Sequence, residues 1–190
     1  MQRNSTSHAH EIRRELSGIL IFIVAIWAVF LADQLLPLER LGLVPRTLHG
    51  MPGIAVSPFL HTGLSHLVSN TIPLLVLLML LAGSRSDSAT VVVSTVLLGG
   101  GLLWLFGRHA RHIGASSLVF GLIAFLLVSG VLERRWPALL AALLVGLLYG
   151  TTLFTGILPF QPGVSWDGHL FGAVAGVVTA WWLAKTGSKR

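Results

Sequence analysis

The chain has no cysteine, so it can build neither a disulfide nor a thiolate metal site, and cysteine usage reveals nothing about redox compartment. Charge is also scarce: 11% of residues are Asp, Glu, Lys or Arg, against about 25% in a soluble domain. Acids are scarcest, with 7 Asp and Glu beside 13 Lys and Arg. The resulting net charge of +6 is not gathered into a patch, because the basic residues stand scattered at the ends of apolar runs. They read as topology determinants and lipid-headgroup contacts, and no nucleic-acid partner is expected. The triplet Gly99-Gly100-Gly101 has no strand before it and no Lys after it, which excludes a phosphate loop. It reads as a close-packed or kinked point.

What fills the chain instead is apolar sequence, 54% of the residues. Crossing the hydrocarbon takes about 20 mostly apolar residues. Six runs approach that length: Gly18 to Leu36, His66 to Ala82, Thr90 to Gly107, Gly114 to Leu132, Pro137 to about Phe160, and Gly168 to Ala184. The expected fold is an all-α polytopic membrane protein, one six-helix bundle over residues 18–185. Short tails, 1–17 and 186–190, flank it. Met1 to Ser17 is too polar and acid-containing for a signal peptide, so the first run is expected to stay as a membrane helix. Placing both termini in the cytoplasm puts nine basic residues inside. Four (Arg40, Arg46, Arg108 and Arg111) are left outside, which favours that orientation in a cell membrane. Arg108 and Arg111, paired in one outer loop, run against the rule.

The longest connection, Pro37 to Ser65, carries four prolines that forbid a continuous helix. Its apolar content (Leu41, Leu43, Val44, Ile54, Phe59, Leu60) predicts a structure lying in the outer leaflet.

Polar groups inside apolar runs are costly and mark candidate function. The second run opens with His61-Thr-Gly-Leu-Ser-His66-Leu-Val-Ser-Asn70, placing His66 and Asn70 one turn apart on one face. The fourth opens with Gly114-Ala115-Ser116-Ser117, and the sixth with Ser165-Trp-Asp-Gly-His169-Leu-Phe-Gly172-Ala-Val-Ala-Gly176. All three runs cross in the same direction, so these first turns share one depth below the outer surface. A serine alone in a membrane helix usually bonds back to a carbonyl one turn earlier. A serine sharing its depth with histidines and an asparagine is a candidate nucleophile. Gly168, Gly172 and Gly176 form a small-residue stripe that matches Gly114, Ser117, Gly121 and Ala124. Packing the stripes together brings Ser116 towards His169. Imidazole within reach of a hydroxyl takes its proton and later returns it to a leaving amine. Asn70, His66 and the Ser116 N–H are the candidate oxyanion donors. Asp167, two residues before His169, points to another face and is not expected to orient it. Phe120, one turn below Ser116, is a candidate to stack on the imidazole or simply a packing aromatic. His49, His109 and His112 show no metal-ligand spacing with a carboxylate and read as solvated or headgroup-contacting. His61 is expected to hold the long loop against the second helix.

These residues resemble the rhomboid intramembrane serine proteases. The helix-two pattern of that family matches His61, His66 and Asn70. Its Gly-x-Ser-Gly matches Gly114-Ala115-Ser116-Ser117 with one departure, and its His-x-x-Gly-x-x-x-Gly matches His169, Gly172 and Gly176. The resemblance implies a six-helix core and cleavage of substrate transmembrane segments near the outer face. It implies a Ser116–His169 dyad without metal or cofactor, with His66 and Asn70 supporting the oxyanion. A non-proteolytic relative that binds transmembrane segments is the alternative. Partners are then transmembrane substrates and the bilayer, and oligomeric state is left open. Two departures stand out. Ser117 occupies the position of a family glycine, which a helix tolerates unless that position needs φ > 0. The Trp-Arg pair common in the first loop of the family is absent between Pro37 and Ser65, which questions how that loop is anchored.

Overall fold

A computed structural model describes residues 2–85, 87–160 and 163–187. Its elements are helical: α1 (Gln2–Asp33), α2 (Gly53–Val56, a single turn), α3 (Leu64–Ser84), α4 (Ser88–Phe106), α5 (Ser116–Glu133), α6 (Trp136–Gly156) and α7 (Trp166–Gly187). There is no strand among the described residues, only an isolated bridge between Leu43 and His112. Helix α1 begins well before the first apolar run, so the backbone of the expected tail is helical from Gln2.

Five helices are long and apolar enough to cross a membrane. The sixth run is α7, which has 22 residues but is diluted by His169, Gly172, Gly176 and Thr179. Those residues are buried against protein, where small size matters more than hydropathy. The opposite side keeps Val174, Val178 and Trp181 exposed, as a lipid-facing surface requires.

Helix α5 is the axis of the bundle. It is apolar on every side, as a helix enclosed on all sides must be, and it packs on α7, α6, α4 and α3. Leu118, Leu122, Ile123, Phe125 and Leu126 of α5 are all at most 2% exposed. Its most extensive interface is with α7, made possible by glycine: a Cβ on Gly172 would lie 2.0 Å from the Ser117 carbonyl oxygen, and one on Gly176 would lie 2.0 Å from that of Gly121. Backbone therefore touches backbone along two turns. The other two glycines of the predicted stripes do different work. Gly168 faces the Ser165 side chain of its own helix start, and Gly114 faces the His66 ring. The glycine triplet of α4 is a close-packing point, with Gly99 against the Gly172 Cα and Gly100 against the backbone of Ile54.

The long connection from 34 to 63 is folded into 3-10 turns at Leu38–Leu41, Leu48–Gly50 and Ser57–Phe59 around α2. Leu43, Val44 and Leu60 are buried, so it lies on the bundle as an ordered cap. Phe59 meets Phe22 of α1 edge to face, ring centroids 5.3 Å apart.

The anchor left open by the missing Trp-Arg pair is built from other residues. Arg46 donates from Nη1 to the carbonyls of Gly107 (2.8 Å) and Leu105 (3.2 Å), capping the C-terminal turn of α4. Its backbone N–H donates to the Trp104 carbonyl, and the Trp104 indole N–H donates back to the Thr47 carbonyl at 3.0 Å. Carbonyls at a helix end have no partner within the helix and carry partial negative charge, so a guanidinium suits them. Arg46 holds φ = 56°, a left-handed conformation kept only where surroundings dictate it.

Candidate active site

Ser116 is the first residue of α5, and the backbone leading to it is held from two sides. On one side His112 exchanges backbone hydrogen bonds with Leu43 (2.8 and 3.0 Å), and the Gly114 N–H donates to the Ser57 carbonyl. Gly114 has φ = +111°, and a Cβ there would lie 2.7 Å from two atoms of the His66 ring, so only glycine fits. No side chain caps the start of α5. The Ser116 N–H thus sits among first-turn donors that have no acceptor within the helix.

On the other side, a buried polar cluster ties the same loop to the start of α7. The Asp167 carboxylate accepts from the Arg108 backbone N–H (2.8 Å) and from Arg108 Nη2 (3.1 Å). His112 Nδ1 lies 2.7 Å from the Ser165 hydroxyl, while its Nε2–H donates to the Arg108 carbonyl at 3.1 Å. His112 is 4% exposed, which corrects the expectation that it is solvated; His49 and His109 are exposed. Asp167 makes no hydrogen bond to His169, two residues on; its carboxylate pairs with Arg108 and lies 3.8 Å from His112 Nδ1.

His169 is positioned by backbone and ring. Its Nδ1 is 2.9 Å from the Gly156 carbonyl at the end of α6. A carbonyl only accepts, so Nδ1 carries the proton and, in the neutral ring, Nε2 keeps its lone pair. The ring stacks on Phe120, centroids 4.0 Å apart and planes 6° from parallel. Gly156 allows this arrangement, since a Cβ there would lie 2.2 Å from Phe120 Cζ. Elements α5, α6 and α7 thus fix one imidazole between them.

His66 and Asn70 stand one turn apart on α3. The Asn70 amide donates to the His66 carbonyl at 2.8 Å, leaving its second N–H free. The His66 ring packs edge to face on His61 (5.1 Å) with Thr62 Oγ1 3.2 Å from its Nδ1. His61 is 1% exposed at the junction of loop and α3, and neither of its ring nitrogens forms a hydrogen bond. Burial first, and the neighbouring His66 second, push its pKa down to about 4, with the Phe59 backbone opposing them.

Ser116, His169, His66, Asn70 and Phe120 all line one cavity of about 490 Å³, open at the end of the bundle where the loops lie. Gly172 and Gly176 lie behind it in the α5–α7 contact, and Gly114 at its edge. Ser116 and His169 are not hydrogen-bonded to each other here. Ser117 does not hold the helices apart: its carbonyl, not its hydroxyl, makes the closest approach to Gly172. It has no positive φ, since among the described residues only Arg46 and Arg134 do outside glycine. No group of three or more His, Asp or Glu fit to hold a metal occurs among the described residues.

Four features lay beyond sequence reasoning: the Gly156 carbonyl, the Arg46 cap, the buried His112 and the Asp167–Arg108 pair. A backbone carbonyl has no sequence signature. The basic pair in the loop before α5 was the one available hint of the last.

The Rhomboid domain profile matches residues 50–186. An uncharacterized protein of Mycobacterium tuberculosis (strain H37Rv) is 44% identical over 180 residues, covering 87% of this chain and 74% of that one. An uncharacterized protein of Mycobacterium bovis matches equally well, and one of Mycobacterium leprae is 39% identical over 178 residues, covering 87% and 70%. With helix starts, glycine contacts and sequence profile in agreement over most of its length, the chain belongs to the rhomboid family.

Proposed function

We propose that this multi-pass membrane protein is a serine endopeptidase that cleaves transmembrane segments by a Ser116–His169 dyad. The observation that carries the proposal is the state of His169: Nδ1 committed to the Gly156 carbonyl, ring face held by Phe120, and Nε2 left as a base in the cavity that Ser116 lines. A carboxylate usually fixes the tautomer in such sites; here a backbone carbonyl does the same work.

Ser116 Oγ attacks the scissile carbonyl carbon while His169 Nε2 takes its proton. The carbonyl electron pair moves onto oxygen, stabilised by the Ser116 N–H, the free Asn70 N–H and the His66 ring. Collapse breaks the C–N bond, the amine leaves with the proton from His169, and water then hydrolyses the acyl-enzyme. Hydroxyl and imidazole come into hydrogen-bond contact when substrate closes the site, as catalytic groups often do. Substrates are membrane helices that unwind locally, because a hydrogen-bonded helix hides its scissile carbonyl. The excess of basic residues on the opposite side supports cytoplasmic termini in a cell membrane, with the site towards the outer face. Two of the four exceptions have internal duties: Arg46 caps α4 and Arg108 pairs with Asp167.

A transmembrane reporter incubated in detergent with wild type and Ser116→Ala tests the proposal. Cleavage by wild type alone is expected, and equal cleavage by both refutes the dyad. Fluorophosphonate labelling that disappears in Ser116→Ala reports an activated serine even when the reporter is a poor substrate. Reporter binding without cleavage or labelling would mark a non-proteolytic relative.

A further inference from the structure

Resting on that catalytic reading, we infer that Arg111 makes the cavity selective for membrane segments bearing an acidic side chain beside the scissile bond. Arg111 is the single Asp, Glu, Lys or Arg side chain lining the cavity of Ser116 and His169. Its position on the outer side runs against the charge bias that nine of the 13 basic residues follow. Arg40, Arg46 and Arg108 run against it too, but Arg46 and Arg108 are each consumed by an internal contact and Arg40 does not line the cavity. Arg111 forms no ion pair or hydrogen bond among the described residues.

Nor is the side chain loose. A Cβ on Gly42 would lie 2.8 Å from Arg111 Cγ and 2.5 Å from Ile113 Cγ2, so the start of its stem is laid against the cap while the residue stays exposed along the cavity wall. The Asp167 carboxylate is 2% exposed and paired with Arg108, and no Asp or Glu of the described residues lines the cavity. The other titratable groups on the wall are His66, His112, His169 and Tyr149, none of them anionic at neutral pH. A substrate stretch unwound into this cavity brings its side chains past one cation on a wall that is otherwise uncharged or histidine-bearing. A Glu or Asp gains there, a neutral side chain does not, and a Lys or Arg is repelled.

The test uses the full-length protein in detergent with reporters of one transmembrane sequence. Glu, Gln or Lys is placed in turn at each position within five residues of the cut. At one or more positions wild type is expected to prefer Glu over Gln by about fivefold in kcat/KM, the size of one partly screened ion pair. The preference should shrink as salt is raised. Arg111→Glu should invert the order, favouring Lys, and that gain also shows that the variant is folded. If no reporter is cleaved in a Ser116-dependent way, the protease reading fails. The same panel is then read by binding to the Ser116→Ala protein, with and without Arg111→Glu. An absent preference at every position, or one that survives Arg111→Glu unchanged, overturns the assignment in either readout.

Discussion

Replacing Gly172 by Ala puts the α5–α7 contact, and with it the dyad geometry, to the most demanding test. Two effects compete. Alanine is the better helix former, by about 1 kcal/mol at an interior position. Its Cβ, however, would stand 2.0 Å from the Ser117 carbonyl oxygen, 2.8 Å from the attached carbon and 2.9 Å from Ser117 Oγ. Carbon meets a carbonyl oxygen comfortably at roughly 3.3 Å or more, so the two helices must part by more than about 1 Å. The obstacle is backbone and cannot swing aside as a flexible side chain would. Overpacking of this kind costs about 1–3 kcal/mol, which cancels or exceeds the propensity gain. The functional cost is larger than the thermal one. Gly172 lies less than one turn from His169, and Ser117 adjoins Ser116, so the separation falls directly between nucleophile and base. A misplacement of about 1 Å can cost on the order of 100-fold in rate. Reporter cleavage by Gly172→Ala should therefore drop by about two orders of magnitude while its melting temperature falls only a few degrees. Gly150→Ala, where a Cβ meets nothing within 4 Å, is the control and should cleave like wild type. Wild-type turnover by Gly172→Ala would show that Ser116 and His169 do not depend on backbone contact between α5 and α7.

Asp167→Asn removes a carboxylate that is 2% exposed and accepts two hydrogen bonds from Arg108; kcat is expected to fall about tenfold with KM little changed, since the loop before Ser116 loosens from α7. A rise in KM alone would place Asp167 in substrate binding instead. Arg46→Gly relieves a left-handed residue yet deletes the α4 cap, so it should still raise protease sensitivity of the 34–63 connection, as Arg46→Ala should; protection by Arg46→Gly would mean that strain, not the cap, governs that loop. For His61 the folded pKa of about 4 lies below the ordinary histidine value of 6.5. The unfolded chain therefore takes up the proton first, and stability is lost as pH falls from about 6.5 to 4, by roughly 3 kcal/mol in all. His61→Phe should flatten the fall of melting temperature over that window, and an unchanged slope would assign acid sensitivity elsewhere.

The long helices were legible because a bilayer leaves the backbone few choices: about 20 apolar residues must close their own hydrogen bonds. Helix ends shifted by a few residues, and α1 extended far beyond its apolar run, since nothing in hydropathy stops a helix that leaves the membrane. The shared depth of Ser116, His169, His66 and Asn70 was readable for the same reason, as spans of fixed length align their first turns. The connection from 34 to 63 was legible only as non-helical and apolar. Its turns are set by tertiary contacts, such as Gly53 against the Leu43 backbone, that no local pattern encodes. His112 misled for a related cause. A histidine in a loop near a membrane surface is ordinarily wet, and what buries this one is the arrival of Ser165 and Asp167 from a segment more than 50 residues away.

That arrival explains why Asp167 sits so near His169 without hydrogen-bonding to it. A carboxylate on the imidazole would stabilise its protonated form strongly, and in a low-dielectric site such a pair must be well solvated or well bonded to be tolerated. The chain separates the two tasks. A neutral carbonyl, that of Gly156, orients His169, while the charge of Asp167 is spent closing the loop that delivers Ser116. Orientation of the base and delivery of the nucleophile thus rest on different groups, a carbonyl at the end of α6 and a carboxylate in the first turn of α7, acting on one cavity. Perturbing the end of α6 should therefore act mainly through the base, and perturbing Asp167 mainly through the position of the serine.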